Sequence, residues 1–372
     1  MELKYNRLGY IDTLRGLAAL YVVIFHIIRI PYPILPYPLI LHPIFDIGFT
    51  GVTLFFIVSA FTLCLTLDGR TAESHWIPKF YFRRAARILP LYYVWLATMA
   101  VYEFGPNIIH QKWPLFSFTF FLYNFQVGLQ KGIVPASWTL GVEMIFYLIF
   151  PFLFMFANNL KKASLLFFPL LIISFIHFHY TDAVPDYEAG YSLFHQLPVF
   201  CLGIMTYWLY KNYLPGITKA KQTAYVFFAG FFIIYFISAW FRTPLGKFII
   251  CPLAVAYSFL LLGLSLMHRN PIVNRVSIFL GLISYSLYLN HPRVIVILKP
   301  VYRIIYGWHI KGFLMLPICI FVTLILLVPL SWLTYLLIEK PGSKLIKYIS
   351  KKVFIAKEFP VTDRLIQLEK RN

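Results

Sequence analysis

Four ionisable residues stand inside long apolar stretches of this chain: Arg15, His26, Glu143 and His291. In hydrocarbon an ionisable side chain is costly unless paired or wetted, so each marks a candidate site. Arg15 and His26 are 11 positions apart, three helical turns plus about 20°, so they share one helix face roughly 16 Å apart along the axis. A guanidinium holds oxyanions, an imidazole moves protons near neutral pH, and a carboxylate can orient or stabilise an imidazolium. Each residue also has a structural reading. Arg15 can snorkel to an interface, His26 can be a hydrogen-bonded core histidine, and Glu143 can rest near the positive end of its helix. His291 directly precedes Pro292, which removes a backbone bond and bends a helix; bent helices line cavities. Three separate helices presenting titratable groups at similar depth point to one shared polar site made by His26, Glu143 and His291.

A second cluster is Arg83-Arg84-Ala85-Ala86-Arg87, in which Arg84 and Arg87 are neighbours on one helical face. Two adjacent guanidiniums form a fork for phosphate oxygens, and they also suit ordinary anchoring on the cytoplasmic side. The stretch Gly48 to Phe61 carries small residues at several turns, which suits close helix packing. A ligand-facing Ser59 is its second reading.

The elements that position these groups are membrane helices. The 372 residues are 60% hydrophobic and only 13% charged, so lipid is the main solvent. Spans of roughly 20 apolar residues are expected near 9–30, 46–67, 86–105, 138–158, 163–179, 193–210, 223–240, 248–267, 277–298 and 314–338. The shorter apolar run 116–127 is a thin span or a re-entrant segment. With ten spans and both termini cytoplasmic, roughly 23 of the 33 Lys and Arg fall inside, as the positive-inside rule expects. The acidic loop Asp182–Glu188 then falls outside. The net charge of +19 is therefore read as membrane topology and not as nucleic-acid binding. Cys64, Cys201, Cys251 and Cys319 lie far apart in apolar runs, with neither metal-site nor disulfide spacing. No metal is expected. The first apolar run holds Asp12, Arg15 and His26 and lacks a cleavage site, so it reads as a retained helix. The expected fold is all-α: a polytopic bundle over residues 1–341 and a basic cytoplasmic tail over 342–372, lying on the inner leaflet.

The ordered segments Tyr10-Ile-Asp12-Thr-Leu-Arg15-Gly16 with His26, Gly51 to Ser59, Arg84-Ala-Ala-Arg87-Ile-Leu-Pro90, Ser137 to Pro151, Ser284 to His291 and Glu339-Lys-Pro341 resemble the membrane-bound acyltransferase family 3. The members meant are bacterial O-acetyltransferases acting on surface polysaccharides. The resemblance spans nearly the whole chain. It implies about ten helices in the bacterial cytoplasmic (inner) membrane and acyl-CoA, with acetyl-CoA expected, as donor. It implies catalysis at His26, an acidic role for Glu143, and coenzyme contacts from Arg15, Arg84 and Arg87. The acceptor would be a hydroxyl of an extracytoplasmic glycan or lipid-linked sugar. Two positions depart from the pattern: Ala60 replaces the usual glycine after the serine, and Pro292 follows His291 directly. Many relatives carry a fused extracytoplasmic hydrolase-like domain; this chain shows none, so any completing partner would be a separate protein, or none is required.

Geometry read from the residues agrees. Coenzyme A is a cytoplasmic polyphosphate with a long thin arm; Arg84 and Arg87 would meet the phosphates, and the arm would pass Arg15 to bring the thioester near His26. There the imidazole would act as general base, with Glu143 or His291 orienting it. A polysaccharide or small-molecule exporter is the rival reading, since intramembrane charges also mark translocation paths. A non-catalytic scaffold gives buried Arg, His and Glu no purpose. The topology has a direct test. A cysteine placed at Asp186 should react with an impermeant reagent in intact cells, and labelling only after lysis would reject the ten-span arrangement.

Overall fold

In lipid every backbone N–H and C=O must be bonded within the chain, and a helix achieves this locally. The computed structural model describes residues 2–31, 34–267, 270–308, 310 and 312–369, and no strand occurs among them. Arg269, part of the expected charge bias, and the tail residues 370–372 lie outside the described residues, as do the side chains of Lys4 and Arg7 and of the tail beyond Phe354. The helices of eight residues or more are α1 (Glu2–Arg29), α2 (Gly51–Asp68), α3 (Trp76–Phe104), α4 (Lys112–Thr119), α5 (Trp138–Phe156), α6 (Leu160–Thr181) and α7 (Leu193–Tyr213). They continue with α8 (Ala220–Trp240), α9 (Ile250–Leu266), α10 (Arg275–Leu282), α11 (Ser284–Ile297), α12 (Lys299–Gly307), α13 (Gly312–Thr334) and α14 (Lys340–Glu369).

Among the described residues, eight helical stretches are long and apolar enough to cross a membrane. The other two expected spans are helical but of different character. Residues 193–210 lie in α7, which has the length but is a buried helix carrying His195, Gln196 and Thr206. Residues 277–298 are two helices, α10 and α11, meeting at Ile283. The interruption falls there, while Pro292 sits inside α11. The Ser284 hydroxyl donates to the Gly281 carbonyl across the junction at 2.8 Å. The run 116–127 does not form a spanning helix. Eight-residue α4 is about 12 Å long against a hydrocarbon core of about 30 Å. The chain then turns at Phe121, whose φ is +61°, into a single 3-10 turn.

Helix α2 is apolar round its whole circumference and buried nearly all round, which makes it the central pillar. It packs between α1 and α7. Helix α1 packs in turn on α10 and α11, α13 lies against α11, and α14 lies against α3. The pairs α6–α7 and α8–α9 extend the bundle, and α6 and α8 turn large apolar residues such as Phe168, Ile172, Phe232 and Ile233 outward. The four cysteines are free, and three of them are buried.

Bare glycines set the closest helix crossings. A methyl at Gly281 would stand 2.0 Å from the Asp12 carbonyl oxygen, and one at Gly16 would stand 2.9 Å from the Gly281 nitrogen. Gly51 is held likewise, 2.6 Å from the Ala18 oxygen. Ala60 is accommodated from the other side, because the facing residue is Gly203, whose added methyl would be 2.7 Å from the Ala60 Cβ. Gly281→Ala therefore forces α1 off α10. It should destabilise the detergent-solubilised protein by about 1–3 kcal/mol and lower its melting temperature, whereas Gly69→Ala, which meets nothing within 4 Å, should leave the melting temperature unchanged.

Candidate active site

Helix α1 carries Arg15 and His26 into two different cavities, separated by a narrow third. On the Arg15 side lies a vestibule of about 750 Å³ walled by Arg84 and Arg87 of α3 and by the start of α14. On the His26 side lies a cavity of about 590 Å³ rimmed by Lys131, Glu188, Lys247 and Gln196. A throat of about 60 Å³ lies between; it shares Arg15, Arg84, Arg87 and Tyr285 with the vestibule, and Val52 and Tyr288 with the far cavity.

Of the three arginines shared by vestibule and throat, Arg84 and Arg87 make no ion pair among the described residues, while Arg15 makes one long one. Arg15 donates to Thr62 on α2 at 3.0 Å and lies 3.7 Å from Asp12 one turn back. Arg84 is cradled over the rings of Phe80 and Tyr147, at 5.8 and 5.9 Å, and its buried Nε has no hydrogen-bond partner. Arg87 makes no ion pair among the described residues and opens into the vestibule. Cations held by aromatic faces and a hydroxyl retain donors for an incoming anion.

The throat is built on Glu143. Its carboxylate accepts from Ser59 of α2 at 2.8 Å and from the Tyr147 hydroxyl one turn along α5. Glu143 thus lines the throat and not the cavity that His26 lines, so it does not join the two histidines directly. The cause is local. Helix α5 begins inside the protein, with Ser137 and Thr139 buried. Tyr123 packs on bare Gly141 and donates to the Ser137 carbonyl at 2.6 Å, which seats the helix start at that level.

His26 and His291 do meet. Their rings are 4.9 Å apart, and His291 Nε2 lies 3.3 Å from His26 Nδ1. The hydrogen-bond pattern assigns the tautomers. Pro292 has no N–H to offer the Tyr288 carbonyl four residues back. That free carbonyl accepts from His291 Nδ1 at 2.6 Å, leaving a lone pair on His291 Nε2. His26 Nδ1 is 2.9 Å from the Val22 carbonyl, so it carries the proton, directed at Val22 and at His291 Nε2. The other nitrogen of His26 is left as an acceptor on a half-buried ring that lines the large cavity. The position of Pro292 thereby aims His291 at His26.

Some residues of the site carried no role in the sequence reading. Glu339 is buried on the vestibule wall, at the end of a π-helical segment Tyr335–Glu339, and accepts from Ser286. Asn290, fixed by Trp95 at 2.9 Å and donating to Thr334 at 3.0 Å, extends that polar seam along α11 to the residue next to His291. An acid closing an apolar run was the available signal for Glu339. Tyr147 and Tyr285, which line the throat, look like ordinary aromatic core residues in sequence. No group of three His, Cys, Asp or Glu side chains that could hold a metal occurs among the described residues.

No solved structure matches the chain. It is 29% identical over 293 residues to a predicted acetyltransferase of Acidianus two-tailed virus, covering 76% of this chain and 81% of that protein. It is 29% identical over 263 residues to an exopolysaccharide production protein of Rhizobium meliloti, covering 66% and 76% respectively. A predicted O-acetyltransferase of Staphylococcus aureus is 25% identical over 381 residues, covering 92% of this chain, which spans 58% of that longer protein. The family model described as an acyltransferase domain matches residues 8–335, so the chain belongs to acyltransferase family 3 and is an integral membrane acyltransferase.

Proposed function

We propose that this protein transfers an acyl group, acetyl in the simplest case, from cytoplasmic acyl-CoA to a hydroxyl of an extracytoplasmic glycan or glycolipid. The observation that carries the reading is the paired histidine on one cavity, joined through shared walls to a cation-lined vestibule. The basic α3 side faces the cytoplasm in this proposal, and the bacterial inner membrane is its setting. Donor phosphates dock on Arg84 and Arg87, and the pantetheine arm passes Arg15 into the throat. A throat of about 60 Å³ suits a thin arm better than a sugar chain, which favours a transferase over an exporter. In the far cavity Trp138 and Tyr191 stack with centroids 4.5 Å apart, an aromatic wall suited to a saccharide, and a relative named for exopolysaccharide production fits that acceptor class.

His26 acts as general base. Its free nitrogen takes the acceptor hydroxyl proton while that oxygen attacks the thioester carbonyl. The carbon–sulfur bond breaks, an ester forms, and the coenzyme leaves as thiolate, which recovers the proton from the imidazolium. His291 Nε2 accepts from the His26 Nδ1–H throughout and so stabilises the charged ring, the role a carboxylate fills in hydrolase triads. Glu143 keeps Ser59 and Tyr147 in place at the throat and, through the Tyr147 ring, supports Arg84.

Purified protein incubated with radiolabelled acyl-CoA and no acceptor distinguishes a base from a nucleophile. No protein-bound label is expected under a quench that preserves acyl-imidazoles. A label that depends on His26 and chases onto acceptor would instead make His26 the nucleophile. His26→Ala should lower turnover by about 10²–10⁴-fold, and full turnover in that variant would reject the mechanism. Arg84→Ala and Arg87→Ala should each weaken donor binding by about 1.5–3 kcal/mol; unchanged affinity by calorimetry in both would make these arginines anchors only.

A further inference from the structure

The vestibule has a second cationic wall, which belongs to the C-terminal helix. Lys340, Lys344 and Lys347 of α14 follow the spacing of one helical face, and all three line the same 750 Å³ cavity as Arg84 and Arg87. The helix is clamped there by a close approach, since a methyl on Gly342 would stand 2.5 Å from the Pro90 Cβ of α3. Farther along, the Phe354 ring meets His75 and Phe82 at 5.8 Å. The lysine face is thus pinned over the vestibule.

Eight basic and two acidic side chains line this cavity, so its charge is largely uncompensated. Glu73 takes Arg70 and Arg83, and Asp12 takes Arg15. Glu339 accepts from Ser286. Arg84, Arg87 and the three lysines make no ion pair among the described residues. Cations facing each other across a cavity repel, and an anion between them relieves the cost. The order of the cavities follows the order of parts in the donor. Arg84 and Arg87 also line the throat, where the arm would enter, so they lie nearest the diphosphate at the arm's end. The lysines line only the outer cavity, where the nucleoside end would lie.

We propose that Lys340, Lys344 and Lys347 form a separate subsite for a phosphomonoester, the one on the ribose of the coenzyme. It makes the enzyme discriminate coenzyme A from its dephospho form. The proposal rests on the acyl-CoA reading given above. The subsite offers the flexible ammonium groups of lysine to a terminal, doubly charged phosphate, and the arginine fork serves the inner diphosphate.

Competition against radiolabelled acyl-CoA, with coenzyme A and dephospho-coenzyme A as probes, tests it on the full-length protein in phosphatidylcholine nanodiscs. The wild type should prefer coenzyme A by about tenfold or more. The Lys344→Gln/Lys347→Gln double variant should bind both probes equally, at the dephospho level, while Lys344→Arg/Lys347→Arg restores the preference. Arg84→Ala should weaken both probes and keep their ratio. No preference in the wild type, or an unchanged ratio in the glutamine variant, overturns the subsite. Binding of neither probe to the wild type rejects the donor reading itself, and the subsite with it. Nanodiscs containing phosphatidylglycerol distinguish the other source of phosphate: an unchanged ratio is expected, and loss of the preference there would assign the lysines to a lipid headgroup.

Discussion

The bundle depends on a backbone-to-backbone crossing at Gly16 and Gly281. Lipid offers no hydrophobic drive between helices, so their association rests on close packing and on polar contacts. With no Cβ at either position, α1 lies directly on the α10–α11 junction, and Gly51 lets α2 close on the opposite flank. Helix α1 carries both Arg15 and His26, so this clamp fixes the two residues on which the site is built. A displaced α1 would separate His26 from His291 and Arg15 from Thr62 together.

Within that frame, the polar groups around the site's carboxylates and His291 are satisfied by one another. Glu143 takes two hydroxyls, Glu339 takes Ser286, Asn290 takes Trp95 and Thr334, and His291 takes a carbonyl that proline sets free. An unmet polar group in this environment costs more than the bond that would satisfy it, so such networks hold side chains to single positions. The contrast is the vestibule, where guanidiniums and lysines face a cavity with few acids to meet them. Satisfied networks on one side and unmet cations on the other separate the scaffold from the wall proposed to bind the donor.

In the proposed reaction the three cavities let one helix carry groups for two tasks. Phosphate binding needs cations on the vestibule side, and proton transfer needs a neutral imidazole away from those cations. The helical rise along α1 separates the two by roughly 16 Å, and the throat between them is closed to all but slender groups. The pantetheine arm of the proposed donor would span such a gap, so donor and acceptor would enter from opposite sides without a continuous pore.

Much of this was legible in the sequence. Apolar run length gave the helices, because spanning hydrocarbon demands about 20 apolar residues, and intramembrane charge singled out Arg15, His26, Glu143 and His291. Ordered motifs identified the family. What the residues could not give was which charges meet. The cavity that Glu143 lines depends on where α5 begins, and that is set by Tyr123 of the preceding 3-10 turn packing on Gly141. The break in the 277–298 span falls at Ile283 and not at Pro292, beside Gly281 on which α1 packs, a contact between residues about 270 positions apart in the chain. The lysine face of α14 reads alone as a solvated or lipid-facing helix, and only its seat against Pro90 turns it toward the arginines. Local chemistry determines helices and costs, while the pairing of buried groups is decided by crossings between distant glycines, which leave no local signal.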